Sequence, residues 1–561
     1  MEKRRLKLKW KSLYVRLKQT IRKQRNYALS VIGLIALLFL TACGNQNNAA
    51  SKKTLSLMQS GEILSLDTAK QANLNEFNTL TNSMEGLYRS NKENKLVPAM
   101  ATSIVQPTNN GKTYIYHLRK NAKWSNGDPV TANDFVVSWR KSVSPTSQSG
   151  YGYIFRGIKN ADAIIDGKKK PATLGVTATN SHTLKVELDY PMPYFNKMML
   201  LPIFFPQSSH ALKKFGDKYG SSSSDMYYNG AFYVKGWTGS NLSWSLVKNP
   251  YYYDKKAIKL DKIKMQVVKD ANTAHQLYQD GELDDALITG TTAQGLQNDK
   301  NLYHFHRAGV YYLRLNLRKN HLFNNQNLRK AVALAIDKDS LAKKVLSDGS
   351  VRADTFVAPG LVVDPTTKKD FANETEPSKK YDVAEAKKLW QTGLKEINKK
   401  KVNIAYYTDD QTINKNIAQF VQSQLEEKLP GANVTVHAVP NKNTQSALAS
   451  GSFDINFGFW FADFADPIGD LNVLKSNNVS NYGKYNSKAF DSYLNAAQTS
   501  AAASKQSYWS NMRNAQRQLN EDVPVVPLYT MTESHLLNPK VKGIMWHPVG
   551  QVDYTRAYFA K

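Results

Sequence analysis

The residues best placed to do chemistry lie in Phe453–Pro467, which reads FDINFGFWFADFADP. One carboxylate, Asp463, follows Phe459, Trp460 and Phe461 and precedes Phe464. An acid in such aromatic, partly dry surroundings, with no catalytic partner beside it in sequence, reads as a hook for a cationic group of a ligand. The plainer reading is a helix N-cap or a surface acid. Elsewhere the chain has no GxSxG elbow, no HExxH, no paired-cysteine metal motif and no complete phosphate loop. Gly111–Lys112–Thr113 ends like such a loop, but Gln106 stands where its first glycine is needed. His304 and His306 could face one side of a strand as two metal ligands, yet no third ligand is near them in sequence, and satisfied or exposed histidines fit better. No catalytic residue, metal or cofactor is expected.

The elements that must position Asp463 are legible around it. Ile455, Phe457 and Phe459 alternate with Asn456, Gly458 and Trp460, the period of a β-strand. Pro467 cannot continue a central strand, so Asp463 falls just past the strand's carboxyl end. Upstream, Val402–Tyr407 reads as a strand, Ile413–Leu429 as an amphipathic helix, Asn433–Val439 as a strand and Thr444–Ser450 as a short helix. That succession predicts a parallel sheet, and open parallel sheets bind ligands in the crevice beyond their strands' carboxyl ends.

At 561 residues the chain is too long for one core, so two or three domains are expected. Its 41% hydrophobic content is that of a folded protein. The formal charge of +29 is uneven. Residues 1–26 hold 11 Lys or Arg against one Glu, so +10 sits there and +19 from residue 43 onward. The later lysines are scattered, with runs only at 168–170 and 399–401. That pattern suits an anionic wall or membrane face better than nucleic acid.

The single cysteine says more. The basic region ends at Asn26, and Tyr27–Leu40 is an apolar run of signal-peptide length, short for a membrane span. It closes in Leu40–Thr41–Ala42–Cys43–Gly44, small residues directly before a Cys, which resembles a bacterial lipobox. The implied chemistry is a thioether between Cys43 and diacylglycerol, with cleavage before Cys43; the alternative is an uncleaved anchor helix. Residues 44–53 (GNQNNAASKK) read as a polar tether.

Along the mature chain, Thr54–Gln59 reads as the first strand, Asn109–Gly111 as a hairpin turn and Thr113–Leu118 as a strand. Thr131 with Asp134 caps a helix whose buried stripe is Ala132, Phe135, Val136 and Trp139. Longer blocks then carry a family resemblance. EGLYRSNKENKLVPAMATS (85–103), GKTYIYHLRKNAKWSNGDPVTANDFVVSWRK (111–141), NGAFYVKGW (229–237) and NPYYYDKKAIKLDKIK (249–264) come first. GELDDA (281–286), LRKAVALAIDKDSL (328–341), FDINFGFWFADFADP (453–467), PVVPLY (524–529) and YTRAY (554–558) follow in order. From Thr54 to the end the chain resembles the peptide-binding lipoproteins that serve ABC importers, of the large three-domain oligopeptide-binding type.

The resemblance implies an α/β, two-lobed periplasmic-binding-protein-like fold with an extra inserted domain and a two-strand hinge. Its divisions would be a signal peptide (1–42), a lipid-anchored tether (43–53), lobe I (54–90, 200–310 and 530–561), an inserted domain (91–199) and a ligand-gripping lobe (311–529). Strands near Tyr311–Leu317 and Val525–Tyr529 would cross between the lobes. Within the W-x-A-D-[FY] motif, Asp463 would pair with a peptide's α-ammonium. The backbone of Phe459, Trp460 and Phe461, and of a first-domain segment at Ala72, Asn73 and Leu74, would pair with the peptide. Leu448 and Phe457 stand where some relatives direct Arg at a short peptide's carboxylate, so tetrapeptide-sized ligands are not implied.

The implied function is capture of peptides by a monomer, lipid-anchored on the extracytoplasmic face of the bacterial membrane, for delivery to a permease with ATPase subunits. Nucleic acid is not an expected partner. A peptide-pheromone receptor on the same fold is the alternative within binding proteins. A surface-anchored peptidase is the alternative from another class, and the missing catalytic motifs speak against it.

Overall fold

The computed structural model describes residues 53–560 except 71–73, 148, 376–379, 500, 501 and 503. The basic leader, the apolar run Tyr27–Leu40, Cys43, Ala72 and Asn73 lie outside the described residues. Among those described, no helix is long and apolar enough to cross a membrane.

Strand β1 (Thr54–Gln59) buries Leu55, Leu57 and Gln59 on one face, as the two-residue period requires. A short antiparallel pair follows, β2 (Tyr88–Ser90) with β3 (Leu96–Pro98). Then β4 (Thr113–His117), β5 (Val176–Asn180) and β6 (Thr183–Glu187) form a separate antiparallel sheet in the order β4-β6-β5. The chain enters β4 through Asn109, Asn110 and Gly111, all at positive φ, which is the tight turn the sequence called for. Helix Ala132–Val143 packs on this sheet and buries Ala132, Phe135, Val136 and Trp139. At its start the Thr131 backbone N–H and hydroxyl both donate to Asp134 Oδ2, at 2.8 and 3.1 Å.

The next strands build one sheet that runs through the molecule. They are β7 (Phe232–Lys235), β8 (Ser243–Lys248), β9 (Lys262–Val267), β10 (Asp285–Ile288) and the long β11 (Leu302–Leu315). After them come β12 (Val402–Thr408), β13 (Ala432–Ala438), β14 (Ile455–Phe461) and the long β15 (Val525–Leu537). A terminal pair, β16 (Val541–Lys542) and β17 (Tyr558–Phe559), stands apart. With β1 included, the sheet has ten strands in the order β13-β12-β14-β11-β15-β10-β1-β9-β8-β7. The expected parallel unit is present: β12 lies parallel to both β13 and β14, with helices Thr412–Lys428 and Asn441–Ser450 as the connections.

A second parallel unit, β10-β1-β9, lies on the far side. Between the two run β11 and β15, antiparallel neighbours of 14 and 13 residues. These are the two long strands expected to cross, and they reach further toward β10 than the sequence pattern alone suggested. Their ladder breaks between His306 and Val310. Such a bulge re-aims the backbone. Here Ala308 donates its N–H to the Pro548 carbonyl at 2.8 Å, and its own carbonyl accepts from Ala462 N–H at 3.1 Å. The break therefore ties the residue just before Asp463 to the C-terminal segment. His304 and His306 lie on this stretch, and each ring bonds a β15 hydroxyl, Ser534 at 2.8 Å and Thr532 at 3.0 Å.

Apolar burial holds the two halves differently. Leu313, Leu315, Ile404, Tyr406, Ile455 and Val526 form one core with helices Gln326–Ala335, Val383–Glu396 and Thr412–Lys428. A larger continuous core joins β1, the three-stranded sheet and residues 353–371 with the helical stretch after Asp463, including Phe464, Leu471, Tyr508 and Met512. The segment that follows Asp463 is thus packed against the first half of the chain.

Candidate functional site

Strand β14 is bonded differently along its two edges. On one side it pairs with β11 over its whole length, from Ile455 with Leu315 to Phe461 with Gly309. On the other it meets β12 only at Ile455 and Asn456, opposite Tyr406 and Tyr407. Beyond Asn456 that edge has no strand partner among the described residues. An unpaired edge is a template for another extended chain. The expected faces are present. Tyr311 stacks on Phe457 with ring centroids 5.6 Å apart and meets Phe459 at a tilt at 5.1 Å, while on the opposite face a Cβ on Gly458 would come within 3.0 Å of the Tyr312 ring. Phe459 remains 42% exposed, a large apolar side chain open beside the free edge. Gly309 lets the two strands close up here, since a Cβ there would lie 3.2 Å from the Trp460 carbonyl.

Past the strand, the chain presents three acids, and their surroundings separate them. Asp466 is consumed structurally. It caps helix Pro467–Leu471 through Ile468 N–H at 3.3 Å, accepts the Tyr508 hydroxyl at 2.5 Å and pairs with Lys197 Nζ at 3.3 Å. Asp470 is fully buried, and desolvation together with the neighbouring charge of Asp463 holds its carboxyl well above the usual range. Asp463 caps no helix and has no cation within 4 Å among the described residues, so the N-cap reading belongs to Asp466 instead. Desolvation pushes the Asp463 carboxyl up to about 6, and a hydrogen bond from the Tyr153 hydroxyl to Oδ2, 3.1 Å long, offsets part of that rise.

Sequence-distant segments complete the surroundings. Tyr194 stacks flat on Phe464, at 5.3 Å and 10° between planes, and Lys197 Nζ donates to the Ala465 carbonyl at 2.6 Å. Both come from the stretch expected to be an inserted domain. Asp463 opens onto a cavity of about 480 Å³ whose walls include Leu200, Leu201, Phe205, Val362 and Phe464. What the arrangement offers chemically is a backbone edge that reads no side chains, leading to one half-buried carboxylate without a counter-charge among the described residues. Among the described residues no group of three His, Cys, Asp or Glu could hold a metal ion.

Of the residues singled out in the sequence, Phe459, Trp460, Phe461 and Asp463 are brought together as one strand end. Leu74 is not extended. It opens helix Leu74–Ser83, because Phe77 and Leu80 bury on the helical period, so what it can offer a ligand is a helix-end N–H rather than a strand edge. Leu448 is buried in helix Asn441–Ser450 and Phe457 is stacked on Tyr311, and neither can make an ion pair. Tyr153 and Lys197 were not foreseen. The run Tyr151–Gly152–Tyr153 hints at a binding surface only through its composition, and Tyr153 meets Asp463 across 310 positions.

Comparison with known proteins gives a family. Residues 95–482 match the bacterial extracellular solute-binding proteins, family 5 Middle. The chain is 32% identical to the dipeptide-binding protein of Lactococcus lactis subsp. cremoris over 536 residues, 93% of this chain and 96% of that one. Its fold matches the solved structure of Listeria monocytogenes OppA bound to peptide, with a TM-score of 0.76 and 34% identity over 91% of this chain and 99% of that one. It also matches the pheromone receptor PrgZ, solved for its mode of peptide binding, with a TM-score of 0.77 and 34% identity over 91% and 100%. The chain belongs to the bacterial extracellular solute-binding proteins of family 5 and has their two-lobed, periplasmic-binding-protein-like α/β fold.

Proposed function

We propose that this protein captures oligopeptides outside the cell, lipid-anchored through Cys43, and hands them to the permease and ATPase subunits of an ABC importer. The observation that carries the reading is the free edge of β14 ending at the unpaired carboxylate of Asp463. A peptide laid along Phe459–Phe461 gains main-chain hydrogen bonds whatever its sequence, the mode of β-augmentation. Its α-ammonium supplies the cation that Asp463 lacks. The peptide-binding names of the relatives, dipeptide-binding protein and peptide-bound OppA, support the same reading. Closure of the lobes about β11 and β15 is driven by contacts that a ligand makes only in the closed form. The test is incubation with a mixed peptide pool, followed by mass spectrometry of what stays bound. Intact peptides are expected; shortened products would point to a peptidase.

The likeness to PrgZ favours one second reading, a receptor for a peptide signal built on the same site. The peptides that copurify with the protein separate the two. A broad mixture fits nutrient uptake, and one dominant sequence fits signalling.

A further inference from the structure

A row of aromatic rings crosses one face of the central sheet and stops at the free edge of β14. Tyr529 of β15 is paired with Tyr311 of β11, and Tyr311 with Phe459 of β14, so the three side chains stand side by side on that face. Tyr529 and Tyr311 stack at 4.6 Å with 15° between planes, and Tyr311 meets Phe459 at 5.1 Å and 32°. Exposure climbs along the row: Tyr529 is 5% exposed, Tyr311 is half-buried and Phe459 is 42% exposed. The pairing explains the open end. Inside a sheet a side chain is flanked on its own face by a neighbour from each adjacent strand. Earlier on β14, Ile455 has both, Leu315 from β11 and Tyr406 from β12, and all three are buried. Phe459 has Tyr311 on the β11 side and no strand neighbour on the other among the described residues, because β12 leaves β14 after Asn456. The exposed ring is therefore short of one cross-strand neighbour.

We propose that this row is a specificity subsite for an aromatic side chain of the bound peptide, which lies beside Phe459 as the next ring of the row. The proposal rests on the reading of the free edge of β14 as the peptide's path. A strand added there, in either direction, turns every second side chain to this face. The side chain opposite Phe459 then starts from a Cβ about 5 Å from that of Phe459. Tyr311 and Tyr529 stand in the same cross-strand relation and stack. An aromatic ring gains there from the attraction between ring edges and ring faces, beyond the area it covers, and an aliphatic chain of similar size does not. The backbone edge alone reads no sequence, so the row adds a preference at one position of an otherwise tolerant site.

The test is calorimetry on the full chain with alanine hexapeptides that carry one phenylalanine, leucine or lysine at the second, third, fourth or fifth position. At one position phenylalanine is expected to bind about three- to tenfold more tightly than leucine or lysine. At the adjacent positions, whose side chains point to the other face, phenylalanine and leucine should agree within about twofold. In Phe459→Leu the preference at the favoured position should shrink to within about twofold. The subsite is overturned if phenylalanine and leucine bind alike at every position, if adjacent positions show the same preference, or if lysine matches phenylalanine at the favoured one. None of these comparisons needs a variant to fold. An undiminished preference in a folded Phe459→Leu protein overturns it as well. N-acetylating the all-alanine hexapeptide separates the two levels. If acetylation weakens binding while phenylalanine and leucine bind alike throughout, the row fails and the peptide site stands. If no peptide binds, the peptide site fails and takes the row with it.

Discussion

The hydroxyl of Tyr153 donates to Asp463 Oδ2 at 3.1 Å, joining two segments 310 residues apart at the end of β14. Among the described residues it is the one side chain whose hydrogen bond favours the charged form of this carboxylate. Tyr153→Phe removes that support without removing the ring. Peptide affinity should fall roughly two- to tenfold, the net worth of one hydrogen bond. The pH below which binding fails should also move upward, because the neutral acid is then relatively favoured. Calorimetry at several pH values reads both. An unchanged pH midpoint would place the hydroxyl outside the site's electrostatics.

The raised Asp463 pKa makes binding and stability depend on pH in opposite senses. A bound α-ammonium requires the carboxylate, and a free α-amino group holds its proton up to about 7.7–8.0. Affinity should therefore be greatest between about pH 6 and pH 8 and fall below pH 6, where the empty protein has taken up a proton that the peptide must displace. Binding at pH 5.5 should release about one proton per peptide, seen as a dependence of the measured heat on the buffer's ionisation enthalpy. In the empty protein the sign reverses. A carboxyl raised above its unfolded value near 3.9 destabilises the fold once ionised, by roughly 1–3 kcal/mol at pH 7. Asp463→Asn should then unfold about 1–3 °C higher than wild type when no peptide is present. A lower melting temperature would mean that the acid holds the fold together rather than waiting for a ligand.

How much of this was legible in the sequence follows from the range of the forces involved. The βαβ unit around β12, the strand β14 and the capped helix at Thr131 are set by local periodicity and local hydrogen bonds, and their ends appear within about three residues of where the pattern put them. Asp463 stood out because aromatic residues flank it. Its discrimination from Asp466 and Asp470 was beyond local pattern, since it depends on Lys197, Tyr508 and Tyr153. The free edge of β14 was also hidden. Alternation predicts a strand, and only tertiary pairing shows that β12 leaves it after Asn456. At Leu74 the resemblance implied only that the backbone meets a peptide, and that the residue opens a helix follows from the burial of Phe77 and Leu80.

A second titration belongs to the long strands. His535 on β15 is buried against Asp285 of β10, with Nδ1 2.8 Å from Oδ1, and Glu533 lies 3.6 Å from its Nε2. Burial alone would lower its pKa, but the charges of Asp285 and Glu533 outweigh that and raise it to about 10. A raised histidine contributes its full stability below the unfolded value near 6.5 and loses it as pH climbs toward 10. His535→Gln should destabilise the fold at pH 6 by on the order of 3–5 kcal/mol, since it strips the counter-charge from buried Asp285. The gap between variant and wild type should narrow steadily up to pH 10. A gap independent of pH, measured by thermal unfolding, would show that His535 is neutral in the folded chain.

Membrane attachment should rest on the Cys43 sulfur. A single acyl chain holds a protein to a bilayer only marginally, whereas the two chains of a diacylglyceryl group suffice. Mass spectrometry of the mature N-terminal peptide should find Cys43 carrying that group. Cys43→Ser should leave a peptide-competent protein that is never lipidated. An unmodified Cys43 in mature protein removes the anchor from the proposal.

The firmest test of the function concerns the Asp463 carboxylate itself. Each backbone hydrogen bond along β14 contributes about 0.5–1.5 kcal/mol, shared among several. Breaking a buried charge pair costs about 2–5 kcal/mol, so the ammonium contact outweighs any single strand bond. Asp463→Ala should therefore weaken peptide binding roughly 30- to several-thousand-fold. Asp463→Asn should be nearly as damaging, because it preserves the shape and the Tyr153 contact and removes only the charge. These losses alone would not identify the partner, since a disturbed loop could produce them. Acetylating the peptide's amino terminus supplies the second side of a cycle. In wild type, acetylation should cost about as much as Asp463→Ala. In Asp463→Ala it should cost far less, because the group that needed the ammonium is gone. Calorimetry on the four combinations gives the coupling between the two charges directly. Equal losses on acetylation in both proteins would mean that Asp463 does not hold the ammonium and that its place after the strand is structural.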